Sequence, residues 1–353
     1  MYYISQISFN DKTAIKQLEK LLSDEGIRKD SNLDYICGMY DEKMNLIATG
    51  SCFGNTLRCM AVSKEHQGEG LLNEIVTHLI NIQFERGNTH LFLYTKCDSA
   101  IFFESLGFYE IAHIEDQIVF MENRKNGFSI YLKRLLKEST DMLSKRLPLL
   151  KTAALVINAN PFTLGHQYLI EKASSENDFV HLFIVSEDVS LIPFSVRKKL
   201  VIKGTSHLNN ICYHESGPYI ISNATFPSYF QKDEQAVIES HAMLDLTVFL
   251  QISHVLGIKK RYVGEEPTSL VTGIYNDIMR KKLPAHGIKC EVIPRKKING
   301  QVISASIVRQ AIKNNDYETL RQMVPLSTLE YFQSQEAMLV INRIRQKSDV
   351  IHY

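Results

Sequence analysis

The chain has 353 residues, 44% hydrophobic and 22% charged, with a formal net charge of +1. That length suits two ordinary domains, and the near-neutral balance excludes a bulk attraction to nucleic acid or anionic membrane. No apolar run approaches the roughly 20 residues that span a bilayer.

The N-terminal segment Met1–Asn10 has neither the basic start nor the long apolar core of a signal peptide. Six cysteines stand at 37, 52, 59, 97, 212 and 290 without a C-x-x-C pair, so they read as reduced thiols of a cytoplasmic protein. The twelve histidines show no tight ligand spacing, and no protein-held metal is expected.

Asn10 or Asp11 can cap a helix whose apolar positions are Ile15, Leu18, Leu21 and Leu22. Tyr35–Tyr40, Leu46–Cys52 and Leu57–Val62 read as strands. Gly68-Glu69-Gly70 then opens a helix carrying Leu71, Leu72, Ile75, Leu79 and Ile82. A strand over Leu91–Tyr94, a helix over Ser99–Leu106 and antiparallel strands at Ile118–Met121 and Phe128–Leu132 complete an α+β block, residues 1–135. Residues 136–150 read as a basic linker helix ending at Leu147-Pro148-Leu149, its lysines solvated rather than turned to a membrane.

Residues 151–353 alternate. Strands are expected at Ala153–Ile157, Val180–Val185, Ile211–His214, Arg261–Val263 and Cys290–Ile293. Helices are expected at Gly165–Ser174, Ser195–Gly204, Lys232–Leu256, Tyr275–Leu283 and Ser304–Asn314. Such alternation implies a parallel α/β sheet covered on both faces, with ligands outside the carboxyl ends of the strands. Thr163, His166, Gly264, Glu265 and Ser304 all fall at such ends.

The most informative stretch is Ala153–Ile170, A-A-L-V-I-N-A-N-P-F-T-L-G-H-Q-Y-L-I. A strand, a Pro-bearing turn and a helix start place unpaired amides and the positive end of the helix dipole where an anion can sit. Gly165 admits a phosphate to the backbone, and Thr163 and His166 supply donors. Ile303–Arg309, I-S-A-S-I-V-R, is a second hydroxyl-rich helix start. Two such starts suggest a nucleoside triphosphate held from both sides. Ser304, Ser306 and Arg309 are the phosphate candidates at this second start. Arg197 and Lys198 are further phosphate or substrate candidates, and Glu265 and Glu266 candidates for ribose or metal-bound water.

T-x-G-H at 163–166, preceded by Asn160-Pro161-Phe162 and followed by I-S-A-S-I-V-R, resembles the HxGH nucleotidyltransferase superfamily. Thr163 replaces the usual first histidine, as in its pantetheine-phosphate branch. The resemblance implies ATP with Mg²⁺, pyrophosphate release, and Asn160 and Phe162 at the nucleotide. Residues 57–76 resemble motif A of the GNAT acyltransferases, whose loop holds the pyrophosphate of coenzyme A. Gln67, Gly68 and Gly70 fit that loop, and Leu72 stands where Gly or Ala is preferred. Residues 99–108 resemble motif B. With Tyr219–Phe230, Val263–Pro267 and Leu283–Arg295 matching as well, the whole chain resembles the citrate lyase ligases. That resemblance implies acetylation, by ATP and acetate through acetyl-AMP, of the thiol on a coenzyme A-like prosthetic group carried by the acyl carrier subunit of citrate lyase. Phe162, Tyr219, Thr225 and Tyr229 are candidates for the acetate pocket. Two alternatives stand beside it: a nucleotidyltransferase for a phosphorylated small molecule fused to an acetyltransferase, and a non-catalytic module sensing ATP or coenzyme A.

Overall fold

The computed structural model describes residues 2–143, 151–188, 190–220, 234–265, 270–348 and 350. The chain is a mixed α/β protein of two compact units. Among the described residues, no helix is long and apolar enough to cross a membrane.

The first unit runs to Ile130. Its elements are β1 (Tyr3–Gln6), α1 (Lys12–Asp24), β2 (Tyr35–Tyr40), β3 (Leu46–Phe53), β4 (Thr56–Val62), α2 (Leu71–Glu85), β5 (Phe92–Thr95), α3 (Cys97–Ser105), β6 (Tyr109–Ile114) and β7 (Ile118–Glu122). Asp11 caps α1 by accepting the amides of Thr13 and Ala14. The strands form one sheet in the order β1-β2-β3-β4-β5-β7-β6. Helix α2 lies so close over β3 that a methyl group on Gly50 would come within 2.6 Å of Ile75.

One feature of this sheet positions a cleft. β4 and β5 are parallel, yet they pair only at Thr56–Phe92 and Leu57–Leu93. Just beyond, β4 carries an extra residue against β3: Ser51 faces Arg58 and Thr49 faces Ala61, with Cys59 at φ +48°. A bulge bends the strand that carries it. The far halves of β4 and β5 line a cavity of about 520 Å³, together with the start of α2.

Helix α4 (Gly127–Leu143) overturns the expected strand at Phe128–Leu132. The β-branched and aromatic composition there misled. Burial at Phe128, Tyr131, Leu135 and Ser139 follows the helical period, and Ile130 is left 63% exposed. The buried Glu122 carboxylate accepts the Phe128 amide at 2.6 Å and anchors the first turn. The helix thus begins well before 136, and Leu147-Pro148-Leu149 lies outside the described residues.

The second unit contains β8 (Thr152–Ile157), α5 (Leu164–Glu176), β9 (Phe179–Ile184), α6 (Phe194–Gly204), β10 (Ile211–Glu215), the end of α7 (Glu234–Leu256), β11 (Lys260–Gly264), α8 (Leu270–Lys282), β12 (Lys289–Ile293), the short strands β13 (Lys297–Ile298) and β14 (Gln301–Val302), α9 (Ala305–Asn314), α10 (Tyr317–Met323), α11 (Leu326–Gln333) and α12 (Met338–Gln346). Helix α7 is shared: residues through Val248 cluster with the first unit, where Ser240 donates to Gln117 at 3.1 Å.

β8 to β12 make an all-parallel sheet in the order β10-β9-β8-β11-β12. Leu155, Ile157, Leu182 and Ile184 are buried in its core, with Leu320, Phe332 and Ile341 from the last three helices. The strand order reverses between β8 and β11, the switch point at which such sheets bind ligands. β8 and β11 pair only at Ala153–Lys260 and Ala154–Arg261, so their carboxyl ends are free to frame a crevice.

A buried relay ties α4 to this unit. His181 Nδ1 lies 3.0 Å from His214 Nε2, and His214 Nδ1 lies 2.7 Å from the Glu138 carboxylate. Burial, reinforced by His214, pushes His181 down to about 3. The unfolded chain takes up that proton near 6.5 and the folded chain only near 3, so stability present above 6.5 is lost as pH falls toward 3. Urea unfolding between pH 7 and 4 should show a falling midpoint that His181→Phe flattens.

Candidate active site

β8 ends in a turn in which Ala159 has φ +53° and the Asn160–Pro161 peptide is cis. Asn160 is buried, its Oδ1 accepting the Ile192 amide at 3.2 Å. Thr163 then caps α5. Its hydroxyl accepts the His166 amide at 3.3 Å, and His166 Nδ1 accepts the Thr163 amide at 3.1 Å. This is a capping box with histidine in the place usually held by Glu or Gln.

The box sets the chemistry of the ring. An amide only donates, so Nδ1 must be an unprotonated acceptor, and the neutral imidazole carries its proton on Nε2. Burial, reinforced by the Arg295 guanidinium nearby, pushes the His166 pKa down to about 4. At neutral pH His166 is therefore an uncharged Nε2–H donor at the positive end of a helix.

Ser304 caps α9 by accepting the Ile307 amide at 3.2 Å, and its hydroxyl lies 2.9 Å from that of Ser306. The two helix starts are neighbours, since a methyl group on Gly165 would sit 3.6 Å from the Ile303 carbonyl. That contact is ordinary and Gly165 is helical, so neither packing nor backbone conformation demands glycine there. A methyl group on Gly264, at the end of β11, would sit 4.0 Å from Leu169 of α5. The exposed Glu265 follows; its amide donates to the Ile293 carbonyl at 2.8 Å and its carbonyl accepts from Arg295 Nε at 2.9 Å. The structure thus brings together Thr163, Gly165, His166, Gly264, Glu265, Ser304 and Ser306.

Other candidates are committed to the interior or to partners, Phe162 with its ring stacked 6.0 Å from that of His166. Arg309, expected at the phosphates, is buried instead, donating to the Asn160 carbonyl at 2.6 Å and the Val350 carbonyl at 2.5 Å. Arg197 is fully buried among backbone carbonyls, and Lys198 pairs with Glu215 at 2.6 Å. Phe162 is a core residue packed on Gly204, where an added methyl group would come within 2.5 Å of its ring. Tyr219 is buried, with its ring 4.7 Å from that of Tyr131. Glu266, Thr225 and Tyr229 lie outside the described residues.

Sequence reasoning missed Arg295 and the hairpin that follows it. Asn299 and Gly300 have φ of +50° and +80°, the two-residue turn with both positions left-handed that Asn-Gly favours. That dipeptide between short strands was the available signal.

In the first unit, Gly68 and Gly70 have φ of +88° and +81° at the start of α2 and line the cavity. Gln67 donates to Glu25 at 3.1 Å and to the Val62 carbonyl at 3.2 Å, which fixes the loop. Leu72, Lys96, Ser99 and Phe102 also line the cavity.

A parallel sheet with polar groups gathered at its switch point defines an α/β protein, and the relatives specify a ligase. The family model for the citrate lyase ligase C-terminal domain matches residues 152–332, the span that builds the crevice. The citrate (pro-3S)-lyase ligase of Escherichia coli K12 is 36% identical over 94% of this chain and 93% of its own length. That of Haemophilus influenzae is 34% identical over 92% and 96%. The chain belongs to the citrate (pro-3S)-lyase ligase family. Among solved structures, pantoate–β-alanine ligase from Francisella tularensis covers 59% of this chain and 84% of its own at 19% identity and a TM-score of 0.35. The Escherichia coli ribosomal-protein-S18-alanine N-acetyltransferase covers 35% and 92% at 20% identity and a TM-score of 0.27.

Proposed function

We propose that the protein acetylates the prosthetic-group thiol of the citrate lyase acyl carrier subunit in two steps. Acetate is inert toward a thiol because its leaving group would be oxide-like. In the first step an acetate oxygen attacks the α-phosphorus of ATP, the bond to the β-phosphate oxygen breaks, and pyrophosphate leaves acetyl-AMP behind. In the second the thiolate attacks the acetyl carbon and AMP departs.

Charge grows on the α-phosphate oxygens and on the leaving pyrophosphate in the first step. Fixed donors that need no reorganisation stabilise it. His166 Nε2–H and the amides at the start of α5 serve the α-phosphate. Ser304, Ser306 and the start of α9 serve the β- and γ-phosphates. The observation that carries this reading is the adjacency of two capped helix starts, one bearing a neutral histidine locked as an Nε2–H donor. Among the described residues, no three His, Cys, Asp or Glu side chains group to hold a metal ion. The Mg²⁺ that accompanies ATP would ride on phosphate oxygens and water, its usual coordination.

The first unit, read as a GNAT-like domain, would dock the lyase's coenzyme A-like arm. Its cavity, at a helix start with two left-handed glycines, suits a pantetheine chain ending in pyrophosphate. Because half of α7 packs into this unit, a point substitution separates the steps better than a truncation. Gly70→Val forces a β-branched residue to φ +81°. It is expected to cut thiol acetylation at least tenfold while acetate-dependent ATP–pyrophosphate exchange stays near normal. Exchange that never appears with acetate would remove the adenylation reading, and equal retention of both activities would remove the docking role.

A further inference from the structure

Of the arginines first read as phosphate candidates, Arg309 and Arg197 donate to buried backbone carbonyls. A phosphate chain held by hydroxyls and amides alone would leave much of its charge uncompensated. One guanidinium is built into the rim. Arg295 follows β12 at its carboxyl end, and its Nε–H is committed to the Glu265 carbonyl at 2.9 Å. The Glu265 amide in turn is held by Ile293 at 2.8 Å. The ends of β11 and β12 are thus stitched together, and the plane of the guanidinium is set by a backbone contact rather than by a flexible stem.

The next residues carry this placement across the site. Lys296 lies over the Tyr168 ring of α5 at 5.7 Å, and its carbonyl accepts the Ile303 amide at 3.1 Å, closing the base of the β13–β14 hairpin. Ile303 packs at Gly165 and leads directly into the Ser304 cap. Arg295 therefore stands where the starts of α5 and α9 and the end of β11 converge, close enough for its charge to act on the His166 ring.

We infer that Arg295 is the cation that meets the phosphate chain of ATP in this crevice, pairing with the oxygens that become pyrophosphate. The inference rests on the adenylation reading and adds a residue to it. Arginine suits the task because its planar fork matches two phosphate oxygens at once, whereas lysine offers a point charge.

The test uses the full-length protein with Arg295→Gln and Arg295→Lys. Inorganic pyrophosphate serves as the binding probe in calorimetry, and ATP–pyrophosphate exchange with acetate as the kinetic one. Arg295→Gln is expected to weaken pyrophosphate binding about tenfold or more and to slow exchange by about 10², with Arg295→Lys in between. A proton NMR titration of His166 checks that the guanidinium stands beside the ring: the midpoint, which the Arg295 charge lowers, should rise in Arg295→Gln. Should that variant fold poorly, Arg295→Lys must still show the loss of pyrophosphate affinity. Unchanged pyrophosphate affinity in both variants, with exchange still slowed by His166→Ala, would overturn the Arg295 assignment and leave adenylation standing. Normal exchange in His166→Ala and Arg295→Gln alike would overturn both.

Discussion

Replacing His166 by alanine is expected to slow acetate-dependent ATP–pyrophosphate exchange by roughly 10²–10³, the effect of losing one preorganised donor worth about 2.7–4 kcal/mol. The substitution also strips the Thr163 amide of its acceptor, a capping loss of about 1 kcal/mol. His166→Gln separates the two. Glutamine at the third helical position completes a capping box, so stability should return. No donor then occupies the far side of the ring, so the rate should not. The pH profile gives an independent check. With its pKa near 4, His166 keeps the same proton on Nε2 from about pH 5 upward, and exchange should show no inflection from it near 6.5. An inflection at that ordinary value, removed by His166→Gln, would contradict the capping-box tautomer. The depressed pKa has a cost in acid: the unfolded chain binds this proton near 6.5, so His166 joins His181 in lowering stability as pH falls from there toward 4.

The two capped helix starts were legible because their signals are local. A cap, a glycine and a histidine within one helical turn declare a helix start wherever the chain goes, and both starts lie where the alternation of elements put them. The basic residues were not legible for the opposite reason. Arg197 and Arg309 sit near helix starts in sequence, but whether a guanidinium faces a ligand or the interior depends on which carbonyls the fold leaves unpaired. Arg309 satisfies Asn160 from far along the chain, and no spacing announces that. At Phe128–Leu132 local composition favoured a strand, and the decision was made by which side chains could be buried together. Helix α7 was read correctly as a helix, but its division between two units is a tertiary fact without a periodic trace.

Arg197→Ala is expected to be the most damaging single substitution away from the reacting atoms. The side chain is fully buried. Its Nε donates to the Ile192 carbonyl at 2.9 Å, and its terminal nitrogens reach the carbonyls of Asn158 at 2.8 Å, Val185 at 2.7 Å and Glu187, together with the Asn158 side chain. Those acceptors belong to the turns that leave β8 and β9, so one guanidinium replaces the water that irregular backbone would otherwise need. Desolvation lowers the Arg197 pKa without neutralising it, and Glu187 and Asp188 oppose the shift. Each buried acceptor left unpaired costs about 1–3 kcal/mol, and with partial rehydration of the turns the total loss should be about 3–5 kcal/mol. Lysine should recover little, because a single ammonium cannot span carbonyls arranged around a planar fork. The loss should appear as a lower urea midpoint at unchanged slope. Exchange should fall even where the variant remains folded, because Asn158 and Asn160 share the turn that delivers Thr163 to the start of α5. An unfolding free energy within about 1 kcal/mol of the parent would mean that water already reaches those carbonyls, and the turn would then owe its shape to the Asn160–Ile192 bond and the Arg309 contact instead.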